Sequence, residues 1–337
     1  MATPDLDPQA VLAAVYKAGS VYDAWRMFPG IARRPFCRLC KQHGITYAKA
    51  RERFANTDNV TIVQAAPPHV QPVIRYRVAQ NGGATSEKIK VLAIGDAHDS
   101  PLLPDKSRFG WIGRAARDAG VDILLSIGDF ASLDSLCSHE RNETLRGKAK
   151  PSFKQDMASV KEALSALADG LGGFDPEKHI TLGNHEDRIQ SFTNRTPEVA
   201  EMMDENLYTI LGDTGWNYSP FGEVHYVGGV AFTHVPLTTM GRPYGGIYSE
   251  NQISRDSLED MVFGHSHKRL EKTYPKIGGR HLTVINLGCA LPEGHIEAYA
   301  KHSLTGWTYG VYELTLRHGR IQKALWTPMT ELEERYG

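Results

Sequence analysis

"KIKVLAIGDAHDS", residues 88–100, is a nearly continuous apolar run that breaks into Gly-Asp-Ala-His-Asp-Ser. Runs of this kind are the signature of strands buried on both faces. The same device returns in "VDILLSIGDF" (121–130) and "HITLGNHEDR" (179–188). Between these runs lie two helical patterns, "FGWIGRAARDAG" (109–120) and "KQDMASVKEALSALADG" (154–170). Strand, polar loop and helix in alternation predict a parallel sheet with its working loops at the strand ends. After about residue 222 the helices thin out, and four segments read as strands: "EVHYVGGVAFTHVP", "DMVFGHSHKRL", "HLTVINLGCA" and "YGVYELTLRHGRIQKALW". No internal repeat is visible. The whole predicts an α/β sandwich.

With 337 residues, the chain suits one large domain and a small accessory one. The formal charge of −1 excludes a uniformly basic nucleic-acid coat, and no apolar run is long enough to span a bilayer. "MATPDLDPQA" lacks the basic start and apolar stretch of a signal peptide, and four cysteines are too few for a disulfide scaffold. A reducing, cytoplasmic location is the expectation.

The charge is uneven. Residues 1–55 hold nine Lys or Arg against four Asp or Glu, so a basic module precedes an acidic body. Three short helices are expected there, in "DPQAVLAAVYKAG", "SVYDAWRMF" and "RRPFCRLCKQHGI". Asp7 and Ser20 serve as caps, Gly44 as a stop, and Phe36, Leu39 and Cys40 as an apolar face. Over roughly residues 8–47 this resembles a helix-turn-helix of the resolvase or regulator kind. The resemblance implies DNA contact through Arg33, Arg34, Arg38 and Lys41. Cys37 and Cys40 have no second pair to complete a zinc site and read as ordinary thiols. The expected boundaries are 1–50 for this domain, 51–87 for a linker containing "AAPPHVQP", and 88–337 for the catalytic domain.

Five polar signatures each follow an apolar strand: "GDAHDS" (Asp96, His98), "GDF" (Asp129), "GNHE" (Asn184, His185), "FTHVP" (His234) and "GHSH" (His265, His267). Any one of them is an unremarkable turn. Five in succession, all at strand ends, point to a metal centre. Carboxylate, amide and imidazole groups together suit manganese, iron, zinc or nickel better than calcium, and they are too many for one four-coordinate zinc. A shared carboxylate would hold two divalent cations about 3.5–4 Å apart, where they activate a bridging water and clamp a phosphoryl group. Glycine before Asp96, Asp129, Asn184 and His265 is read as allowing sharp turns and access for a bulky phosphate.

The series D-x-H, G-D, G-N-H-E, H, G-H-x-H over roughly 88–300 resembles the calcineurin-like metallophosphoesterase superfamily. That resemblance implies a four-layer α/β/β/α sandwich. It implies one metal on Asp96, His98 and His267, another on Asn184, His234 and His265, and Asp129 between them. His185 is then not a ligand but a general acid or phosphate contact near the leaving oxygen, and Glu186 orients a neighbouring group. Manganese is the first expectation for both ions, with iron, zinc, nickel or magnesium as alternatives. "GDFASLD" lacks the arginine of the protein-phosphatase form G-D-x-V-D-R-G, which disfavours a protein phosphatase.

The insertion "HERNETLRGKAKPSFK" (139–154) holds five basic residues against two acids. Arg141, Arg146, Lys148 and Lys150 are candidates for a substrate loop over the metals. Arg188 is read either as a phosphate contact or as a partner of Asp187 or Glu186. The tryptophans are assigned to packing, and "TELEERYG" to a solvated helical tail.

The expected function is two-metal hydrolysis of a phosphoester, on nucleic acid or nucleotides, through attack by metal-bound hydroxide with His185 assisting the leaving group. Pairing a helix-turn-helix with such a domain resembles phage-encoded phosphoesterases. One alternative is a general phosphomonoesterase with an assembly domain. Another is a DNA-binding regulator with an inactive phosphoesterase fold, although a site out of use has no physical reason to keep seven ligands. Partners are the phosphoester, with DNA as substrate or anchor, and no membrane.

Overall fold

The computed structural model describes residues 6–18, 21–25, 27–28, 31, 33–46, 49, 87–138, 143–244, 246, 248–297, 300 and 306–337. The chain divides into two compact units, 1–66 and 67–337.

In the first unit lie helices α1 (Pro8–Ala18), α2 (Val21–Trp25) and α3 (Arg33–Gln42). Asp7 caps α1, its Oδ1 accepting the Gln9 N–H at 3.0 Å. Gly44 stops α3 at φ 58°, where only glycine is unstrained, and the Ile45 N–H closes the end on the Cys40 carbonyl at 2.7 Å. Val11, Val15, Ala24, Phe36, Leu39 and Cys40 form a small apolar core of their own. Arg38 and Lys41 are exposed on α3. The side chains of Arg33 and Arg34, the cap at Ser20 and the segment "VIRYRVA" lie outside the described residues.

The second unit is a mixed α/β fold of two sheets. Strands β1 (Ile89–Ile94), β2 (Ile123–Ser126), β3 (Glu177–Thr181), β4 (Trp216–Ser219), β10 (Gly310–Arg317) and β11 (Arg320–Pro328) form a six-stranded sheet in the order β11-β10-β1-β2-β3-β4. Its β1–β4 part is parallel. Strands β5 (His225–Val227), β6 (Val230–Phe232), β7 (Met261–Phe263), β8 (Arg269–Pro275) and β9 (His281–Leu287) form the other, in the order β5-β6-β7-β9-β8. Val91, Leu125 and Leu314 of the first sheet meet Phe232, Val262 and Ile285 of the second in one buried layer.

The outer face of the six-stranded sheet carries α4 (Ser107–Ala119), α6 (Phe153–Leu171), α7 (Asp187–Thr193) and α8 (Ala200–Asp213), packed through Ile112, Val160, Leu164, Ile189 and Leu207. A short α5 (Leu145–Lys148) precedes them in the insertion. α6 starts on a capping box between Ser152 and Gln155 and ends at Gly172 in the left-handed region. On the far side of the other sheet, α9 (Ser249–Asp256) covers Phe263 and Val284 with Ile253. The four layers α/β/β/α are therefore present. No helix among the described residues is long and apolar enough to cross a membrane.

Three expectations are refined. "YGVYELTLRHGRIQKALW" is two strands, β10 and β11, turned at His318 and Gly319, which both take positive φ. "EVHYVGGVAFTHVP" is not one strand but the hairpin β5–β6, because Gly228 and Gly229 both take positive φ and turn the chain. The C-terminal tail is helical and mostly exposed, as expected, but it is also docked. It forms α10 (Met329–Tyr336), which buries Met329 and Leu332 and ties back to α4, where Arg114 donates to the Tyr336 carbonyl at 2.7 Å.

Where the two sheets meet, His179 of β3 and His225 of β5 stack face to face, with centroids 3.5 Å apart, both buried. Burial, and for His179 the neighbouring His225, lowers their pKa values to about 3 and about 4. The unfolded chain takes up these protons near pH 6.5. Both groups therefore support the fold fully above that pH and withdraw support as pH falls toward 4 and then 3. From pH 7 to pH 5 the expected loss is on the order of 2 kcal/mol per histidine. Melting temperatures at the two pH values check this, and a His179→Gln/His225→Gln double variant should show a smaller difference between them.

Candidate metal centre

The loops that follow β1, β2 and β3 in one sheet and β6 and β7 in the other open at the same end of the sandwich. They carry Asp96 and His98, Asp129, Asn184 and His185, His234, and His265 and His267 respectively. Six described non-glycine residues have positive φ, and four of them are His98, Asp129, His265 and His267. Such backbone costs on the order of 1–3 kcal/mol per residue and persists where the surroundings impose it.

The side chains converge. His98 Nε2 lies 3.0 Å from His267 Nε2, which is 3.1 Å from Asp96 Oδ2. His234 Nε2 lies 3.0 Å from Asn184 Oδ1 and 3.3 Å from His265 Nδ1. Asp129 Oδ2 stands between the two groups, 3.3 Å from His234 Nε2 and 3.9 Å from His98 Nε2. His265 is the exposed member, so the centre opens to solvent on that side.

Several observations test whether cations fit. His234 Nδ1 lies 3.1 Å from the Ile127 carbonyl, which can only accept, so Nδ1 carries the proton. Nε2 faces two further acceptors, Asn184 Oδ1 and Asp129 Oδ2, so a positive charge, whether proton or cation, has to lie between them. Two imidazole nitrogens 3.0 Å apart match neighbouring ligands on an ion with bonds of about 2.1 Å. Among the described residues, Asp96 Oδ2 is buried without a hydrogen-bond partner, as an atom left for a cation would be.

Charge says the same. Burial opposes ionisation of Asp129, but His234, His185 and His98 outweigh it and hold its carboxyl well below the usual range. Burial likewise opposes a proton on His234, yet Asp129, Asp96 and Glu186 push its pKa up to about 9. Positive charge belongs between these groups. Asp96, His98 and His267 could hold one ion, and Asp129, His234 and His265 a second.

His185 also lies near, with Nε2 3.9 Å from Asp129 Oδ2, but both its nitrogens are engaged. Nδ1 is 2.9 Å from the Ser132 carbonyl, and Nε2 is 3.0 Å from Arg188 Nη2. A guanidinium can only donate, so Nε2 accepts and the ring is neutral in this arrangement. Arg188 pairs with neither Asp187 nor Glu186. Its other donor reaches the Ser132 carbonyl at 2.6 Å, placing the guanidinium beside the segment that lacks the arginine of G-D-x-V-D-R-G.

The glycines before the ligands serve a purpose other than the one expected. Among those four only Gly128 has positive φ, so sharp turning is not the general reason. A Cβ at Gly183 would sit 2.1 Å from Asp129 Oδ1, and one at Gly264 would sit 2.4 Å from Asp96 Oδ1. These glycines let ligand carboxylates lie against backbone.

Glu186 does more than orient one neighbour. Its carboxylate accepts the N–H groups of Asp129 at 3.0 Å, Ala131 at 3.0 Å and Gly183 at 2.7 Å, fastening two ligand loops together. Burial and Asp129 push its carboxyl up to about 7. Asp99 is a second buried anchor, accepting Lys106 at 2.6 Å and Ser159 of α6 at 2.7 Å. Trp307, expected only to pack, meets the His267 ring edge to face at 4.3 Å.

In the insertion after β2, Lys150 Nζ donates to the Cys137 carbonyl at 2.6 Å. Lys148 is exposed, while Arg141, His139 and the side chain of Arg146 lie outside the described residues.

No protein-family model and no curated protein sequence matches the chain. Solved structures similar to it include wild-type Vps29 from Entamoeba histolytica complexed with zinc, at 14% identity over 72% of this chain and 99% of that one, with TM-score 0.27. YfcE, a phosphoesterase from E. coli, is 16% identical over 70% of this chain and 98% of that one, with TM-score 0.31. A dimetal phosphatase from Danio rerio is 10% identical over 72% of this chain and 99% of that one, with TM-score 0.33.

Proposed function

We propose that the chain is a two-metal phosphoesterase acting on nucleic acid or nucleotides. The observation that carries this reading is the convergence of lone pairs from Asp96, His98 and His267 and from Asp129, Asn184, His234 and His265 on two adjacent points. One ion is assigned to the first three residues and one to Asn184, His234 and His265, with Asp129 shared. Such a pair, when bound, supplies Lewis acidity toward a phosphoryl oxygen and lowers the pKa of water.

The protein's own groups have separate tasks. Asp129 keeps its negative charge between the two histidine clusters and orients through Oδ1, which accepts the His185 N–H at 2.8 Å. His185 and Arg188 flank the centre as a hydrogen-bonded pair. The guanidinium is the donor of the two, so we assign it to a phosphoryl oxygen and His185 Nε2 to the neighbourhood of the departing oxygen. Arg188→Ala should lower kcat by roughly 10²-fold, the scale seen when one charge-stabilising donor is lost. Bound metal, read by elemental analysis, should stay unchanged; loss of metal would remove Arg188 from this role.

The nucleic-acid half of the proposal is supported by the exposed Arg38 and Lys41 on α3, in the helical order of a helix-turn-helix. Replacing Arg33, Arg34 and Arg38 together should weaken DNA binding and flatten its salt dependence. The deciding assay is hydrolysis of p-nitrophenyl phosphate beside bis-p-nitrophenyl phosphate, after chelation and return of Mn²⁺. Diester turnover supports a nuclease or phosphodiesterase. Monoester turnover alone makes the protein a phosphatase, and turnover of neither removes the proposal for these substrates.

A further inference from the structure

β8 leaves the metal centre directly, since His267 stands two residues before its first residue, Arg269. Between Lys268 and His281 the hairpin β8–β9 carries Lys268, Arg269, Lys272, Lys276 and Arg280 against a single acid, Glu271. None of these five cations forms an ion pair with the described residues. Lys272 Nζ donates to Asn251 Oδ1, and Lys276 Nζ to the Arg255 carbonyl, both on α9. These acceptors are neutral, so they hold the ammonium groups in place, although Lys276 also faces the Asp256 carboxylate at the end of α9.

Lys272 and Tyr274 share the outer face of the sheet, because they pair with Val284 and Leu282 and Val284 packs under α9. The two ammonium groups flank one ring, at 5.8 Å and 5.6 Å from the Tyr274 centroid. A second aromatic, Tyr248, is 64% exposed just before α9. The next helix residue but one, Glu250, accepts from Ser266, which lies between His265 and His267. An exposed aromatic ring near the metal centre and cations toward the hairpin tip thus share this side of the sheet. At about 3.4 Å per residue, His267 to Lys276 spans roughly 30 Å.

We infer that this face is a track for single-stranded nucleic acid. Its bases would stack on the exposed ring of Tyr248, and its phosphates would meet Lys272, Lys276 and Arg280. Stacking on isolated aromatics suits unpaired bases, whose faces are open, and fixed ammonium groups suit a backbone rather than one phosphate. A membrane is the poorer occupant, since Ile277 is the only large apolar residue exposed at the tip. The track rests on the phosphoesterase reading only for the expectation that the strand leads to the metals. Binding itself needs none of them.

The test is fluorescence anisotropy of a labelled mixed-sequence single-stranded oligonucleotide with the full chain in EDTA. Lys272→Glu/Lys276→Glu/Arg280→Glu should weaken binding at least tenfold at low salt. Three lost phosphate contacts should also make the slope of log K against log salt shallower by about two. Tyr248→Ala should lose roughly fivefold or more, and Tyr248→Phe should bind as wild type. The milder Lys272→Gln/Lys276→Gln should show half or more of the slope change with an unchanged melting temperature, separating lost contacts from lost fold. Wild-type affinity and slope in the triple variant overturn the inference. So does hairpin-dependent capture of phosphatidylserine vesicles with no binding of the oligonucleotide. Hydrolysis of bis-p-nitrophenyl phosphate by the triple variant should equal wild type, so failure of the track and failure of the metal centre give different results.

Discussion

Asp129→Asn should lower metal-dependent diester turnover by roughly 10³-fold or more while leaving the protein folded. The substitution is nearly isosteric, and an amide oxygen can still accept the His185 N–H now 2.8 Å from Oδ1. What disappears is the charge at Oδ2, the atom that faces His234 at 3.3 Å and His98 at 3.9 Å. A neutral amide cannot offset two divalent cations held close together, so metal content should fall from two ions toward one or none. Elemental analysis and turnover of bis-p-nitrophenyl phosphate with Mn²⁺ measure the two effects separately. Full activity in the variant would sink the two-metal assignment.

Glu186→Ala should be the most damaging single change to stability. It leaves three buried N–H groups, on Asp129, Ala131 and Gly183, without the carboxylate that now accepts them. Each buried donor left unsatisfied costs about 1–3 kcal/mol, so a total of roughly 3–6 kcal/mol is expected. In a unit of this size that lowers the melting temperature by on the order of 10 °C. Glu186→Gln should do little better. Its amide has one oxygen for three donors, and its NH₂ meets at least one N–H. Activity should be lost in both, because the loops bearing Asp129 and Asn184 are joined through this side chain. A melting temperature within about 2 °C of wild type would show that the loops are held by something else.

The chemistry of this protein lies in short peptide words, and those were legible. Asp96, His98, Asp129, Asn184, His234, His265 and His267 stand out because each polar group ends a run of apolar residues, and such runs have to be strands. The parallel half of the fold was legible for the same reason, with α4 and α6 announcing themselves by helical periodicity between β1, β2 and β3. β8 was not. Its "RLEKTYP" is an edge strand half in water, with no apolar run to mark it. The docking of the tail α10 was not legible either, because only Met329 and Leu332 are buried, and two residues make no stripe.

The sequence by itself determined which candidate donor groups the chain carries and in what order they come, since donor chemistry is a property of residue type. The tertiary structure decided everything that depends on distance between residues far apart in the chain. It set Arg188 against His185 rather than against an acid, gave Glu186 three loop amides to hold, and set Lys150 on a carbonyl. It also showed that Gly183 and Gly264 make room for Asp129 and Asp96, because carboxylates from one loop press on the backbone of another. Contacts of that kind arise only when β1, β2, β3, β6 and β7 bring their ends together, and no local pattern records them.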